Sequence, residues 1–113
     1  PGHKWNAAYA AMVRSADQSV GRVLEALAKH RIADRTIVLF MSDNGGLAGV
    51  TRNAPLRAGK GHVYEGGIRE PMIVCWPGVV KPGSVCSEPV TSVDFYPTIL
   101  AMTGAAPYLL EIL

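Results

Sequence analysis

The chain has little of several features that would assign a protein to a class at once. Its only two cysteines, Cys75 and Cys86, are too few for a disulfide framework, and we interpret them as free thiols, with one bridge as the alternative. No apolar run approaches the roughly 20 residues that span a bilayer, so no membrane span is predicted. The net charge is only +2, and the basic residues are scattered without interleaved aromatic residues, which argues against a nucleic-acid partner.

The composition is apolar for so short a chain. Hydrophobic residues make up 49% of the 113 residues and charged residues 18%. This length allows one domain at most, and a stand-alone domain of this size needs more polar surface to cover its core. The composition is therefore typical of an inner part of a larger α/β protein. No targeting pattern is present from which a compartment could be predicted.

Hydrophobic periodicity predicts two helices and two strands. A stripe at three- and four-residue spacing predicts a helix over residues 7–30, and a second helix is predicted over 94–103, with Asp94 as its N-cap and Gly104 at its end. Continuous apolar runs predict strands over 36–41 and 72–76, and runs of this kind are typical of the buried centre of a parallel sheet. A helix followed by such a strand indicates the α/β class.

Between the two strands lies a long segment, residues 43–70, without any periodicity. It contains eight glycines or prolines, and loops of this length in compact domains are usually functional or disordered. Within it, Gly66 and Gly67 are interpreted as a tight turn before the second strand. Cys75, in the second strand, is interpreted as a core residue.

Asp43 and Asn44 directly follow the first predicted strand. Asp-Gly and Asn-Gly pairs are turn formers, so a purely structural interpretation stays open. In open α/β sheets, however, ligands bind at the carboxyl ends of strands. A carboxylate and an amide carbonyl are oxygen ligands suited to Ca²⁺ or Mg²⁺, and no histidine follows that would favour zinc.

Lys60 lies between Gly59 and Gly61, where the backbone can approach an anion closely. A lysine ammonium binds an oxyanion as a point charge, although a solvated loop lysine is the simpler alternative. The segment is not a phosphate-binding P-loop, because that motif's first glycine is Ala54 here. His62 is a candidate hydrogen-bonding partner for a substrate, with simple exposure as its alternative.

These motifs together resemble the sulfatases of the alkaline phosphatase superfamily. The resemblance covers roughly residues 7–107 and is strongest in the block from Lys60 to Pro71. The matching segments are residues 9–21, 36–45, 55–61, 64–71, 76–78 and 94–98. It implies an α/β fold in which the chain is one partial domain, 1–113, of an alkaline-phosphatase-like sandwich with a largely parallel sheet flanked by helices.

The resemblance also implies a chemistry. Sulfatases hydrolyse sulfate monoesters with a formylglycine nucleophile, made from Cys or Ser in a Cys/Ser-x-Pro/Ala-x-Arg motif, and with one Ca²⁺ ion. Asp43 and Asn44 match two of the family's metal ligands, and Lys60 matches its sulfate-contacting lysine. The implied substrate is a sulfated small molecule or glycan, and the implied location is periplasmic, secreted or lysosomal.

This chain lacks parts of the family pattern that catalysis requires. The nucleophile motif and the acidic pair that completes the metal site are absent, and His62 stands where the family often has a small hydroxyl residue. We therefore expect a fragment that is inactive alone. Two alternatives remain: a phosphodiesterase or phosphonate hydrolase of the same superfamily, and a non-catalytic fragment that self-associates into homo-oligomers through bare apolar surface.

Overall fold

The computed structural model describes residues 6–105, so residues 1–5 and 106–113 of the predicted domain lie outside the described residues. Two compact units are distinguished, one ending at Pro82 and one beginning at Gly83, and each is described by itself. The described residues of the first unit form two α-helices, a 3₁₀ turn and a two-stranded sheet. Those of the second form a 3₁₀ turn and one α-helix.

The first helix, α1, spans Ala7–Lys29. It begins at Asn6, whose side-chain oxygen accepts a hydrogen bond of 2.9 Å from the backbone N–H of Tyr9. This bond satisfies one of the amides that a helix start leaves without an intrahelical partner. At the other end, the backbone N–H of His30 donates to the Ala26 carbonyl, and Lys29 lies in the last turn, where a positive charge interacts favourably with the helix dipole.

The sheet consists of β1, Val38–Met41, and β2, Met72–Cys75. Both strands are shorter than the apolar runs that predict them. Thr36 stays in the preceding 3₁₀ turn, because its N–H bonds to the Ala33 carbonyl and its hydroxyl donates to the Ile32 carbonyl at 2.7 Å. Trp76 belongs to the next turn, because its carbonyl accepts from the N–H groups of two residues that follow it, Val79 and Val80.

The two strands pair in antiparallel fashion, with Val38 opposite Cys75 and Met41 opposite Met72. The continuous apolar run had indicated a parallel neighbour, and that expectation is not met between these two strands. The chain between them reverses direction without a crossover helix long enough to make a parallel connection. The α/β class itself is confirmed, since helices and a sheet occur together.

The apolar side chains of the described residues do not enclose a core. No hydrophobic side chain among residues 6–105 is fully buried, and Phe40 in β1 is 47% exposed. Cys75 is exposed as well, so its interpretation as a core residue is wrong for this chain; both cysteines are free thiols, as predicted. The faces of the sheet that the sequence marks as buried are therefore not covered by the described part of the chain, and self-association stays a prediction.

The second unit contains α3, Phe95–Thr103, preceded by a 3₁₀ turn over Ser92–Asp94. Asp94 was expected to cap the helix with its side chain. Instead its carboxylate accepts a 2.8 Å hydrogen bond from the backbone N–H of Thr91, because the extra turn moves the capping function upstream. Gly104 ends α3 as predicted, with a left-handed φ of +69° that glycine adopts without strain.

Within residues 6–105, none of the helices is both long and apolar enough to cross a membrane.

Candidate active site

The segment after β1 presents one carboxylate and one amide. Asp43 is exposed and Asn44 is half-buried. The Ser42 hydroxyl donates to the Asn44 carbonyl at 2.9 Å, and the Asn44 side-chain amide donates to the Gly45 carbonyl at 3.2 Å. Because the Nδ2 group of Asn44 is engaged in this way, its Oδ1 oxygen is the atom left for a cation.

Gly45 contacts a short helix, α2, Glu65–Ile68, and Gly66 within that helix contacts the segment that leads to Lys60. The Gly45 N–H donates to the Gly67 carbonyl at 3.1 Å, and the Gly66 N–H donates to the Arg57 carbonyl at 2.8 Å. Gly66 and Gly67 were expected to form a tight turn, but they lie inside this single helical turn and are buried. They are glycines because backbone carbonyls occupy the space that a side chain would need.

Replacing Gly66 by alanine should destabilise the protein. A Cβ atom there would collide with the Ala58 carbonyl oxygen and lie 2.5 Å from that of Arg57, so backbone must move. Overpacking of this kind costs about 1–3 kcal/mol or more. Thermal denaturation of the complete protein should give a lower Tm for Gly66→Ala.

Gly21→Ala in α1 is the matched control. No atom of residues 6–105 lies within 4 Å of a Cβ at that position, so the same change there should be neutral or slightly stabilising, as alanine is favoured over glycine in a helix. An unchanged Tm for Gly66→Ala would contradict the close backbone contact.

Lys60 joins the site through its backbone. Its N–H donates to the Gly46 carbonyl at 3.1 Å, two residues beyond Asn44 in sequence, and its side chain is exposed. The structure thus brings the lysine segment beside the segment that carries Asp43 and Asn44. The preceding residue, Gly59, is buried.

His62 lies at the margin of this arrangement, with an exposed side chain. Its Nδ1 atom is 3.3 Å from the Gly59 carbonyl oxygen. A carbonyl only accepts, so this contact is a hydrogen bond when Nδ1 carries the proton. Nε2 is then the ring nitrogen left for a substrate. The described contacts link His62 to the Lys60 segment and give it no contact with Asp43 or Asn44.

Asn53 is a residue of the site that sequence reasoning missed. Its side chain makes three hydrogen bonds, two with Gly46 and one with Ala58. The only signal in the sequence was its residue type, since asparagine can donate and accept at once. Nothing in the spacing of the loop distinguished it from other polar residues there.

The donor atoms at Asp43 and Asn44 fit part of a calcium site. Carboxylate and amide oxygens are the hard ligands that Ca²⁺ takes, in shells of about six to eight oxygens. Among residues 6–105 there is no group of three or more His, Cys, Asp or Glu side chains placed to hold a metal. Two oxygen-bearing residues fill only part of such a shell, so a Ca²⁺ ion bound here would need further ligands.

Comparison with known proteins gives a consistent result. The family model described as Sulfatase matches residues 6–105. A protein named Sulfatase from Formosa agariphila is 49% identical over 106 residues, which cover 86% of this chain and 19% of that protein. The N-acetylgalactosamine-6-sulfatase of Homo sapiens is 39% identical over 104 residues, covering 88% of this chain and 20% of that protein.

A solved structure agrees with these relatives. The crystal structure of Ps i-CgsB in complex with k-i-k-neocarrahexaose has a TM-score of 0.86 and 46% sequence identity, and the match covers 94% of this chain and 24% of that one. The chain thus spans about one fifth of the length of the curated relatives it matches. On the match over residues 6–105, the resemblance noted in the sequence is confirmed, and the chain belongs to the sulfatase family.

Proposed function

We propose that the complete protein containing this chain hydrolyses sulfate monoesters, and that this chain supplies one side of the active site. The observation that carries the proposal is the hydrogen bond from the Lys60 N–H to the Gly46 carbonyl. It fixes a cation-bearing segment beside a strand end that bears two oxygen ligands. That pairing suits an anionic ester held against a metal ion.

Each candidate residue has a distinct role in this proposal. The Lys60 ammonium binds sulfate oxygens and stabilises the charge that develops as the leaving group departs. Asp43 and Asn44 would hold Ca²⁺, which when bound supplies positive charge to the sulfate oxygens. His62 contacts the substrate through Nε2. The formylglycine nucleophile and the other metal ligands come from parts of the protein outside this chain.

The relatives support a sulfated substrate and favour a glycan. One relative is named for a sulfated amino sugar, and the solved neighbour was crystallised with a neocarrahexaose. Others are steryl-sulfatases and arylsulfatases, which keeps sulfated small molecules in the same proposal. We also propose that the complete protein is periplasmic, secreted or lysosomal.

A phosphodiesterase or phosphonate hydrolase is the less favoured activity. Such enzymes of the superfamily hold transition metals partly through histidine, and Asn44 stands directly after Asp43 where a histidine would support that alternative.

The test compares the complete protein with the isolated chain. We expect the complete protein to release the phenol from an aryl sulfate in the presence of Ca²⁺, and to cleave an aryl phosphodiester far more slowly. The isolated chain should show no turnover above its own Lys60→Ala variant, because it lacks the nucleophile motif. Phosphodiester cleavage faster than sulfate ester cleavage, or turnover by the isolated chain, would contradict the proposal.

A further inference from the structure

The carboxamide of Asn53 links the two segments that carry the candidate site residues. Its Oδ1 atom accepts from the Gly46 N–H at 3.1 Å, and its Nδ2 atom donates to the Gly46 carbonyl at 2.8 Å. The same Nδ2 donates to the Ala58 carbonyl at 3.0 Å. One side chain therefore holds the residue two places after Asn44 and the residue two places before Lys60.

The Gly46 carbonyl oxygen is shared between Asn53 and Lys60. It accepts from the side chain of the first and from the backbone N–H of the second, at 2.8 Å and 3.1 Å. A carbonyl oxygen has two lone pairs, so these two donors use its full capacity. If the Asn53 amide were lost, the Gly46 oxygen would keep only its bond to Lys60. The lysine segment would keep the Gly66–Arg57 backbone bond but lose the bond that joins Ala58 to Asn53.

The two segments pack closely around this carboxamide. A Cβ atom on Gly59 would collide with the Gly46 carbonyl oxygen and with Nδ2 of Asn53, so the segments are in close contact there. Ala58 has a φ of +64°, a left-handed conformation that is unfavourable for a non-glycine residue. Its bond to Asn53 helps to hold that conformation immediately before Gly59 and Lys60.

From these contacts we infer that Asn53 is a positioning residue for sulfate ester hydrolysis, acting through Lys60. The inference rests on the proposed function. Asn53 itself touches neither substrate nor metal in this scheme; it sets the position of the lysine relative to the strand end with Asp43 and Asn44. A misplacement of about 1 Å at a reacting group can cost about 10²-fold in rate, so such a role has a measurable consequence.

The test is a double-mutant cycle between Asn53 and Lys60 in the complete protein. Asn53→Ala removes all three hydrogen bonds and should lower kcat on an aryl sulfate by about 10- to 100-fold. In the Lys60→Ala background the same change should lower kcat by less than about threefold, since a residue that acts through Lys60 has nothing left to position. Equal fold losses in the two backgrounds would overturn the inference.

Asn53→Asp provides the isosteric variant. It keeps the acceptor for the Gly46 N–H but places a carboxylate oxygen against the carbonyls of Gly46 and Ala58. If Asn53→Ala does not fold, the cycle is run with Asn53→Asp and the same non-additivity is expected. Wild-type kcat in either folded variant would overturn the inference, and so would failure of both to fold, because Asn53 would then be required by the fold alone.

Thr36→Val is the control for lost stability. It removes the 2.7 Å hydrogen bond to the Ile32 carbonyl at the start of the sheet and touches no residue of the site. It should lower Tm while kcat stays unchanged. A kcat loss in Thr36→Val as large as that in Asn53→Ala would overturn the inference. Near-wild-type turnover in Lys60→Ala, by contrast, would count against the proposed function itself.

Discussion

Replacing Lys60 by alanine in the complete protein is expected to lower kcat by about 10²–10³-fold, which is typical for removing one preorganised donor or charge. The physical reason is the fixed position of the lysine segment, whose backbone N–H bonds to the Gly46 carbonyl. The ammonium group is thereby held where charge develops as the leaving group departs. Steady-state kinetics on one sulfate ester measures the loss.

Two further variants, Lys60→Arg and Lys29→Ala, test whether the loss of turnover is specific to the side chain at position 60. Arginine keeps the positive charge but presents it on a planar fork of different shape, so its loss should be smaller than that of alanine. Lys29 is an exposed lysine in the last turn of α1, and its removal should leave turnover unchanged. Equal losses in the arginine and alanine variants would show that charge alone is not what Lys60 contributes, and wild-type turnover in Lys60→Ala would show that the site is misplaced.

Replacing Asp43 by alanine should cost at least as much as replacing Lys60. The carboxylate is the only charged group of the Asp43–Asn44 pair, so its loss weakens the hold on a hard cation and the orientation of everything that cation contacts. We expect the Ca²⁺ concentration for half-maximal activity to rise in the same variant. Titration of activity with Ca²⁺ and calorimetric titration of the metal measure the two effects separately.

Asp34→Ala is the matched control for the loss of one negative charge. Asp34 is exposed in the 3₁₀ turn before β1 and belongs to neither segment of the site. Its removal should change neither turnover nor the response to Ca²⁺. An unchanged calcium response in Asp43→Ala would remove this residue from the metal site.

His62→Ala should lower turnover less than Lys60→Ala or Asp43→Ala, and the loss should depend on the leaving group, because only the Nε2 atom of His62 is free for a substrate.

The helices α1 and α3 could be predicted from sequence because their determinants are local, whereas the single turn of α2 was not predicted. A three- and four-residue apolar spacing predicts α1, and Gly104 ends α3 through its own left-handed conformation. The strand ends were less predictable. The apolar runs continue into residues such as Thr36 and Trp76, but hydrogen bonds within the adjacent turns remove those residues from the ladder.

The candidate site residues could be named from the sequence, but the contacts that join their segments could not. The position of Asp43 and Asn44 after an apolar strand, and of Lys60 between glycines, indicated the chemistry. The contacts that join them could not be foreseen, because they run between backbone groups of residues distant in sequence, such as Gly45 and Gly67. Asn53 is the clearest case, since its three side-chain hydrogen bonds are set by the folded path of the chain and not by any local pattern.

Burial of the sheet is a second feature that the sequence predicts only in part. Apolar runs predict that a strand is buried but not which part of a protein buries it. Phe40 and Cys75 are exposed in the described part of this chain, and the chain spans about one fifth of its curated relatives. Burial inferred from a sequence therefore applies to the complete protein from which the sequence comes.

The pairing of β1 with β2 closes the loop that carries the candidate site. Met41 pairs with Met72, so residues 42–71 form one loop whose two ends are held together, and every candidate site residue lies inside it. Closing a flexible loop of this length costs about 3 kcal/mol of chain entropy beyond a constant term. A linear peptide of the same residues lacks that closure. Transplanting the site into another protein therefore requires a host that offers two antiparallel strand ends with Cα atoms about 5 Å apart.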